Sequence, residues 1–451
     1  MSQKKDQSIS IIGAGLAGCF LAILLSIRGY KIQIFERSSA KEIADKSSRR
    51  SFNLTFYDFG MKALIEAGVW KEVLPYLIKL KGSVTQISKN TPLIFARFDY
   101  ENMPYFAIQR ANLLRILIKK ALSNPNISIH FDSNLLSIDR QKHTFLIQNT
   151  KSQKLTTIST DLILGTDGAN SQVRSILQMG QVTKHRQEYL DYEYKQLLIS
   201  KQMAEDIKLL TDTQHAWTRK DATLIAFPNG DGSFTGMLIL PKVDKLGFAS
   251  LQSEKTITRF FREKYPNFLP AVNALRQQII DNPKGYFVTV YTNPWYYKDF
   301  IAIFGDAAHA CLPFYGVGMS VAFGDATEFV KLVDKHGSDW KKILPKYQQL
   351  RKIHTDIIAD LAKESFVRFR RHKKADYVAV YDRLEALLHT MFPKTFRPPL
   401  FNQIANDPNR ATHFFQSHEK QRKIAKFLGI PILVSGVVKL IAIIEALKTR
   451  T

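Results

Sequence analysis

The stretch from Ser8 to Arg37, SISIIGAGLAGCFLAILLSIRGYKIQIFER, constrains the fold more than any other part of the chain. Ser8–Ile12 is a short β-branched run, long enough for one buried strand. Gly13, Gly15 and Gly18 then form G-x-G-x-x-G. The first glycine permits a tight turn, the second lets the backbone approach a pyrophosphate, and the third lets a helix pack closely on the strand. Leu16–Arg28 reads as that helix, with its N-terminal N–H groups facing the phosphates, and Gly29 ends it. Lys31–Phe35 is the second strand. Glu36 closes it, 18 residues after Gly18, where a carboxylate accepts hydrogen bonds from a ribose 2′-OH. The expectation is a βαβ dinucleotide site built from Gly13, Ala14, Gly15, Leu16, Ala17, Gly18, Glu36 and Arg37. The motif does not separate a flavin from a nicotinamide dinucleotide. Its position near the N-terminus, with no second copy, favours one tightly held dinucleotide.

The 451 residues are enough for two or three domains with cores of their own. With 45% hydrophobic and 23% charged residues, the chain is globular rather than disordered. Its two cysteines, Cys19 and Cys311, exclude a disulfide framework. Each sits beside a glycine motif in an apolar context and reads as a small buried hydrophobe in a reducing compartment. No Cys/His spacing suits a metal. The polar start, MSQKKDQS, runs straight into the first strand and is not expected to be a signal peptide. The net charge of +24 is scattered, with clusters at Arg368–Lys374 and Lys420–Lys426. No nucleic-acid module accompanies it, so an anionic membrane surface or an acidic cofactor is expected to answer the charge.

Along the chain, Arg50–Trp70 joins a short strand to a helix ending near Gly68. Ile78–Tyr105 alternates like a hairpin, and Leu113–Leu122 has a helical pattern. Ile127–Phe131 and His143–Gln148 read as strands of a second layer. Asp161–Leu164 is a buried strand leading into Asp167-Gly168, with Arg174 at a helix start. From Gln181 to Asn282 the character changes to strand-like segments, Tyr192–Ser200, Ala222–Phe227, Ser233–Leu240 and then Gly285–Tyr291, with one helical interruption at Ser253–Tyr265. Ile301–Phe304 is another buried strand, entering the glycine-studded Gly305–Met319. From Ser338 onward the pattern is helical.

Three glycine–acid motifs therefore follow one another: Gly13–Gly18 with Glu36, Asp167-Gly168, and Gly305-Asp306. Singly, D-G and G-D are common turns. As an ordered set they suit FAD, whose length needs a βαβ unit for its ADP half and further loops for the ribityl chain and ring. Asp306 suits the ribityl hydroxyls. The N–H groups near Gly316, Gly318 and Met319, at a helix N-terminus, suit the flavin edge that turns negative on reduction. Arg50, Arg110, Leu135 and Asp167 complete the candidate cofactor contacts.

On IIGAGLAG (Ile11–Gly18), RSFNL (Arg50–Leu54), RANLL (Arg110–Leu114), DLILGTDGANSQVR (Asp161–Arg174), FPNGDGSFTGMLILP (Phe227–Pro241), NPKGYFVTVYTNPWYYKD (Asn282–Asp299) and GDAAHACLPFYGVGM (Gly305–Met319), the chain resembles the single-component FAD-dependent aromatic hydroxylases. Within them it resembles the kynurenine 3-monooxygenase family, and RKIHTDIIADLAKESF (Arg351–Phe366) shares that look. The resemblance implies an α/β fold with a Rossmann-like FAD domain (1–80, 103–180 and 283–335). It also implies an inserted antiparallel-sheet substrate domain (81–102 and 181–282), a helical C-terminal region (336–425) and an apolar helix (426–451). It further implies that NAD(P)H, as NADPH or NADH, reduces FAD, and that O2 then gives a flavin C4a-hydroperoxide that hydroxylates an aromatic ring. No side-chain nucleophile is implied, and His309 is structural. Pro313, Phe314 and Tyr315 would line the pocket. The family's carboxylate grip, an Arg and a Tyr on the hairpin and an Asn on a late helix, meets Ser83, the neighbourhood of Arg97 and Phe98, and Ser365 here. Val317 and Ser320 replace the usual Gln and Asn of the turn. Arg97 is the cation on that hairpin that would compensate. Alternatives remain a larger or more apolar substrate, and a flavin-binding redox protein without turnover.

The tail FLGIPILVSGVVKLIAIIEAL (Phe427–Leu447) has near-membrane-span length, interrupted by Pro431, Lys439 and Glu445 and flanked by basic residues. It suits a membrane-surface or anchoring helix, or a buried helix packed on the flavin domain. The expected location is the cytoplasm, with the C-terminus peripheral to or anchored on a membrane.

Overall fold

The computed structural model describes residues 7–43, 52–86, 94–97, 105–243, 245–370, 385 and 388–427. The β-branched run at the start becomes a fully buried strand, Ile9–Ile12, at the heart of a six-stranded sheet. The sheet order is Tyr296–Tyr297, Ile301–Ile303, Leu162–Gly165, Ile9–Ile12, Ile32–Phe35, Ile127–His130. All neighbours run parallel except the first pair. Strands buried on both faces need apolar residues at every position, which these supply. The first helix, Leu16–Ile27, is apolar on nearly every side because it lies between the sheet and the helix Gly318–His336. Phe20 stacks on Phe323 at 4.0 Å.

Ile127–His130 belongs to this main sheet, not to a second layer as its sequence suggested. The second layer is a three-stranded meander, Ser133–Asp139, Thr144–Asn149 and Leu155–Ser159, of which the sequence disclosed only the middle strand. A further small sheet pairs Asn53–Phe56 and Ile78–Lys79 with Phe106–Gln109.

The seven-stranded sheet runs Gly285–Asn293, Lys184–Ile199, Phe234–Pro241, Thr223–Pro228, Thr213–Thr218, Gly82–Gln86, Ile94–Arg97. It is antiparallel except where Thr213–Thr218 meets Gly82–Gln86. Gly285–Asn293 hydrogen-bonds along Lys184–Tyr194, so the chain leaves this sheet at Asn293 rather than at 282. One face packs Leu224, Ala226, Leu238 and Leu240 against the helices Glu254–Lys264 and Val272–Asp281. The first of these helices starts at a capping box between Ser253 and Thr256. The other face presents Ile225, Phe227, Met237 and Ile239 to the turn at Pro313–Tyr315 and to the C-terminal helices. Those helices are Trp340–Arg370, Leu400–Asn406 and Ala411–Phe427. No helix among the described residues is long and apolar enough to cross a membrane. Most of the apolar tail, 428–451, lies outside the described residues.

Candidate functional site

The glycine turn has the shape its spacing requires. Gly13 sits at φ +104°, and a Cβ there would come within 2.9 Å of the Thr166 carbonyl oxygen. A Cβ on Gly18 would collide with the Gly13 carbonyl oxygen. A Cβ on Gly15 would meet only the Thr166 carbonyl oxygen, at 4.0 Å, so the space above the helix N-terminus is open for an anion. Glu36 reaches back over this turn. Its Oε2 accepts the Ala14 N–H at 2.9 Å and its Oε1 accepts the Ser38 N–H at 2.8 Å. Lone pairs remain on both oxygens for ribose hydroxyls. Beneath the turn, burial and the charge of Glu36 push the Cys19 thiol up to about 12, so it is an inert packing group. Cys311 is half-buried.

Asp167 is committed to local structure. Its Oδ1 accepts the Ser171 hydroxyl at 2.6 Å, and its Oδ2 accepts the N–H groups of Gln172 and Val173 at 2.7 and 3.1 Å, starting the helix Gln172–Met179. The buried Arg174 of that helix ties this loop to the next. It donates to the Ala169 carbonyl at 2.6 Å and to the Ala307 carbonyl at 2.8 Å. Asp306 is exposed at the start of the one-turn helix Asp306–His309, behind Gly305 at φ +55°. Gly316, at φ +66°, leads into the helix that begins at Gly318, where a Cβ would meet nothing within 4 Å. The Thr55 hydroxyl holds the Gly316 carbonyl at 3.1 Å.

The loops thus gather at the carboxyl ends of three adjacent strands, Ile32–Phe35 with Glu36, Ile9–Ile12 with the glycine turn, and Leu162–Gly165 with Asp167. The Ile301–Ile303 strand adds Asp306 beside them. An open helix N-terminus, a carboxylate with lone pairs to spare, an exposed aspartate and a second helix N-terminus are groups that FAD could meet in that order. Arg37 and Arg110 are exposed, Met319 is buried in the first turn of its helix, and Leu135 is buried in the hydrophobic core. Arg50 lies outside the described residues.

The residue that ties this edge together is not among the candidates that the sequence offers. Asp325, on the helix Gly318–His336, is fully buried and accepts three donors: the Gly305 N–H at 2.9 Å, His309 at 2.6 Å and Arg351 Nε at 2.7 Å. Burial pushes its carboxyl up, but His309 and Arg351 outweigh this and hold it below the usual range. Arg351 continues to the Val321 carbonyl and to Asn409. A carboxylate inside the apolar VAFGDATEF segment is the signal that marks such a site, since a buried charge requires partners.

On the substrate side, Phe314 packs between Phe287 and Phe366, with centroids at 5.1 and 4.7 Å. Pro313 is exposed and Tyr315 buried, so the turn presents an edge outward and anchors with its last ring. Ser365 is half-buried on the helix Trp340–Arg370. The hairpin register pairs Ala96 with Ser83 and Arg97 with Gly82. Facing residues of paired strands share a face and neighbours alternate, so Arg97 occupies the face opposite Ser83. The two positions are therefore diagonal neighbours on adjacent strands, at alternate places of the pleat. Among the described residues no group of His, Cys, Asp and Glu is placed to hold a metal.

The chain matches the family model for the FAD binding domain over residues 6–360. It is 30% identical over 451 residues to a kynurenine 3-monooxygenase of Salinispora tropica, covering 99% of this chain and 98% of that protein. A kynurenine 3-monooxygenase of Legionella pneumophila is 31% identical over 389 residues, covering 86% of each chain. One of Dictyostelium discoideum is 31% identical, covering 87% and 86%. Among solved structures, 2-methyl-3-hydroxypyridine-5-carboxylic acid oxygenase superposes with a TM-score of 0.67 at 18% identity, over 85% of this chain and 96% of that one. The tetracycline destructase Tet(51) gives 0.63 at 16% identity, over 90% and 98%. These likenesses carry the fold: a flavin-type α/β domain, an antiparallel sheet and a helical C-terminal region.

Proposed function

Because the chain belongs to the FAD binding domain family and, within it, to the kynurenine 3-monooxygenase family, we propose that it is an FAD- and NAD(P)H-dependent monooxygenase that hydroxylates an aromatic substrate. The observation that carries this reading is the gathering of the glycine turn, Glu36, Asp306 and the Gly316–Gly318 turn along one sheet edge. When bound and reduced by NAD(P)H, FAD supplies the O2 chemistry that places one oxygen atom on the ring.

The chain's own residues bind, orient and exclude water. The N–H groups of Gly15–Gly18 would hold the pyrophosphate, Glu36 the ribose hydroxyls and Asp306 the ribityl chain. The N–H groups at Gly318 and Met319 would face the pyrimidine edge of the flavin, where negative charge builds on reduction. Pro313, Phe314 and Tyr315 would wall the reacting ring from solvent. FAD copurifying with the protein, and NAD(P)H-driven O2 uptake that an aromatic compound stimulates with a hydroxylated product, is the expected result. Stoichiometric FAD with no stimulation by any aromatic would favour a flavin-binding redox protein instead.

We further propose that the segment after Phe427 docks on an anionic membrane surface. Its apolar run and the basic residues Lys420, Arg422, Lys423, Lys426, Lys448 and Arg450 support this.

A further inference from the structure

Gly316 joins the one-turn helix Pro313–Tyr315 to the helix Gly318–His336, at φ +66°. Its N–H is spent on the Pro313 carbonyl at 3.0 Å. The Val317 carbonyl accepts the Val321 N–H at 2.9 Å and so opens the long helix. The Gly316 carbonyl belongs to neither helix. A side chain from a distant strand takes it instead: Thr55, buried on Asn53–Phe56, donates its hydroxyl at 3.1 Å.

Thr55 is itself held in place. Its strand pairs with Phe106–Gln109, with Thr55 opposite Ala107. The buried Tyr105 phenol is hydrogen-bonded to the same hydroxyl. The Thr55 hydrogen already goes to Gly316, so the phenol is the donor of that bond. Tyr105 stacks on Tyr57 with centroids 4.4 Å apart, and its carbonyl accepts the Leu80 N–H at 2.8 Å. A Cβ at Gly316 would come within 3.2 Å of the Thr55 oxygen, so the close approach depends on glycine.

A trans peptide points its C=O and N–H to opposite sides. Holding the Gly316 carbonyl on Thr55 therefore turns the Val317 N–H away from Thr55. The N–H groups of Val317, Gly318 and Met319 have no partner among the described residues, and the space beside Gly318 is open. The turn thus offers donors without a competing acceptor. Without Thr55, nothing would restrain the Gly316 carbonyl, because glycine tolerates either orientation of its peptide. A carbonyl facing the charge that reduction adds to a flavin would oppose that charge.

We propose that Thr55 is a positioning residue: by holding the Gly316 carbonyl it keeps the turn presenting N–H groups alone, and so favours reduced over oxidised FAD. The proposal rests on the monooxygenase reading above and concerns the cofactor's potential, not its aromatic substrate.

Thr55→Val keeps the shape and removes the hydroxyl. The test measures the potential of FAD on the full chain by equilibration with a redox dye, the affinity for oxidised FAD by fluorescence titration, and the thermal midpoint. In Thr55→Val, binding of reduced FAD should weaken about tenfold more than binding of oxidised FAD. That ratio lowers the potential by about 30 mV for a two-electron couple. Thr55→Ser, which keeps the hydroxyl, should restore the parent's potential. A merely structural role would lower the thermal midpoint and leave the potential where it was. Where Thr55→Val does not fold, Thr55→Cys, with a thiol that is a weak donor, makes the same comparison with Thr55→Ser. An unchanged potential in the variant lacking the hydroxyl, or a serine variant with an equally lowered one, would overturn the proposal and leave the flavin reading standing. Parent protein that neither purifies with FAD nor takes it up sinks the flavin reading itself, and the role of Thr55 with it.

Discussion

Arg351 Nε lies 2.7 Å from the Asp325 carboxylate, and neither side chain has any exposure to solvent. The pair joins two helices, and through the Gly305 N–H and His309 it also fixes the turn that presents Asp306. C-terminal packing and the proposed ribityl site are therefore one mechanical unit.

Removing one partner of a buried pair strands the other charge, which typically costs about 3–5 kcal/mol. Asp325→Asn and Arg351→Met should each lower the thermal midpoint sharply and reduce FAD per chain. Asp325 titrates lower when folded than when unfolded. The stability it adds is thus fully present above about pH 4, the unfolded carboxylate value, and is lost as pH falls through the folded value. Urea midpoints at decreasing pH should fall less steeply in Asp325→Asn than in the parent. Parallel curves would show that the pair contributes nothing to acid stability.

Local chemistry was legible in the sequence and long-range pairing was not. Gly13, Gly15, Gly18 and Glu36 lie together within one βαβ unit, so spacing alone describes their arrangement. Asp325 and Arg351 are 26 positions apart, and nothing in either segment names the other. Ile127–His130 read correctly as a strand, but alternation says nothing about which sheet a strand joins. Thr213–Thr218 escaped notice because its polar positions, Thr213, Gln214 and Thr218, hide its apolar face. Yet that strand connects the hairpin carrying Ser83 to the rest of the sheet.

Glu36 and Asp306 should differ in how their loss is felt. Each would give a charge-assisted hydrogen bond to a cofactor hydroxyl, worth roughly 1.5–3 kcal/mol. Glu36 also satisfies two backbone N–H groups, whereas Asp306 is exposed. Glu36→Ala should therefore weaken FAD binding and lower the stability of the apoprotein. Asp306→Ala should weaken FAD binding, by a factor of roughly ten to a hundred, and leave apoprotein stability unchanged. Fluorescence titration of apoprotein with FAD, with thermal melts of the apo variants, checks both. Full FAD affinity in either variant would remove that residue from the site.

The last described helix is Ala411–Phe427, and the apolar run of the sequence extends beyond it. A chain ending at Phe427 should stay folded with FAD bound and should no longer sediment with anionic vesicles at low salt. The full chain should sediment, and added salt should release it in part, since each basic residue near the surface contributes about 1 kcal/mol. A full chain that ignores such vesicles would leave the run as a packing element.

Under the proposed function, the face of the hairpin that carries Ser83 is where an anionic substrate would be held. On a parallel neighbour, Gln214 pairs with Ser83 and Ala216 with Thr85, so this part of the sheet face offers neutral groups only. A buried carboxylate lacking its guanidinium partner is short by about 2–5 kcal/mol. Ser83→Arg restores a cation on that face and should raise kcat/KM for L-kynurenine by an order of magnitude or more. It should do little for 2′-aminoacetophenone, which keeps the ring, amino group and ketone of kynurenine but has no charge to meet it. Arg97→Ala should leave both compounds within about twofold of the parent, because its register position is beside Gly82 and not beside Ser83. Steady-state NAD(P)H oxidation with the two compounds, across the parent and both variants, makes the comparison. Loss of kynurenine activity in Arg97→Ala would mean that Arg97 reaches the chamber despite its register, and that the carboxylate grip has moved one residue along the hairpin.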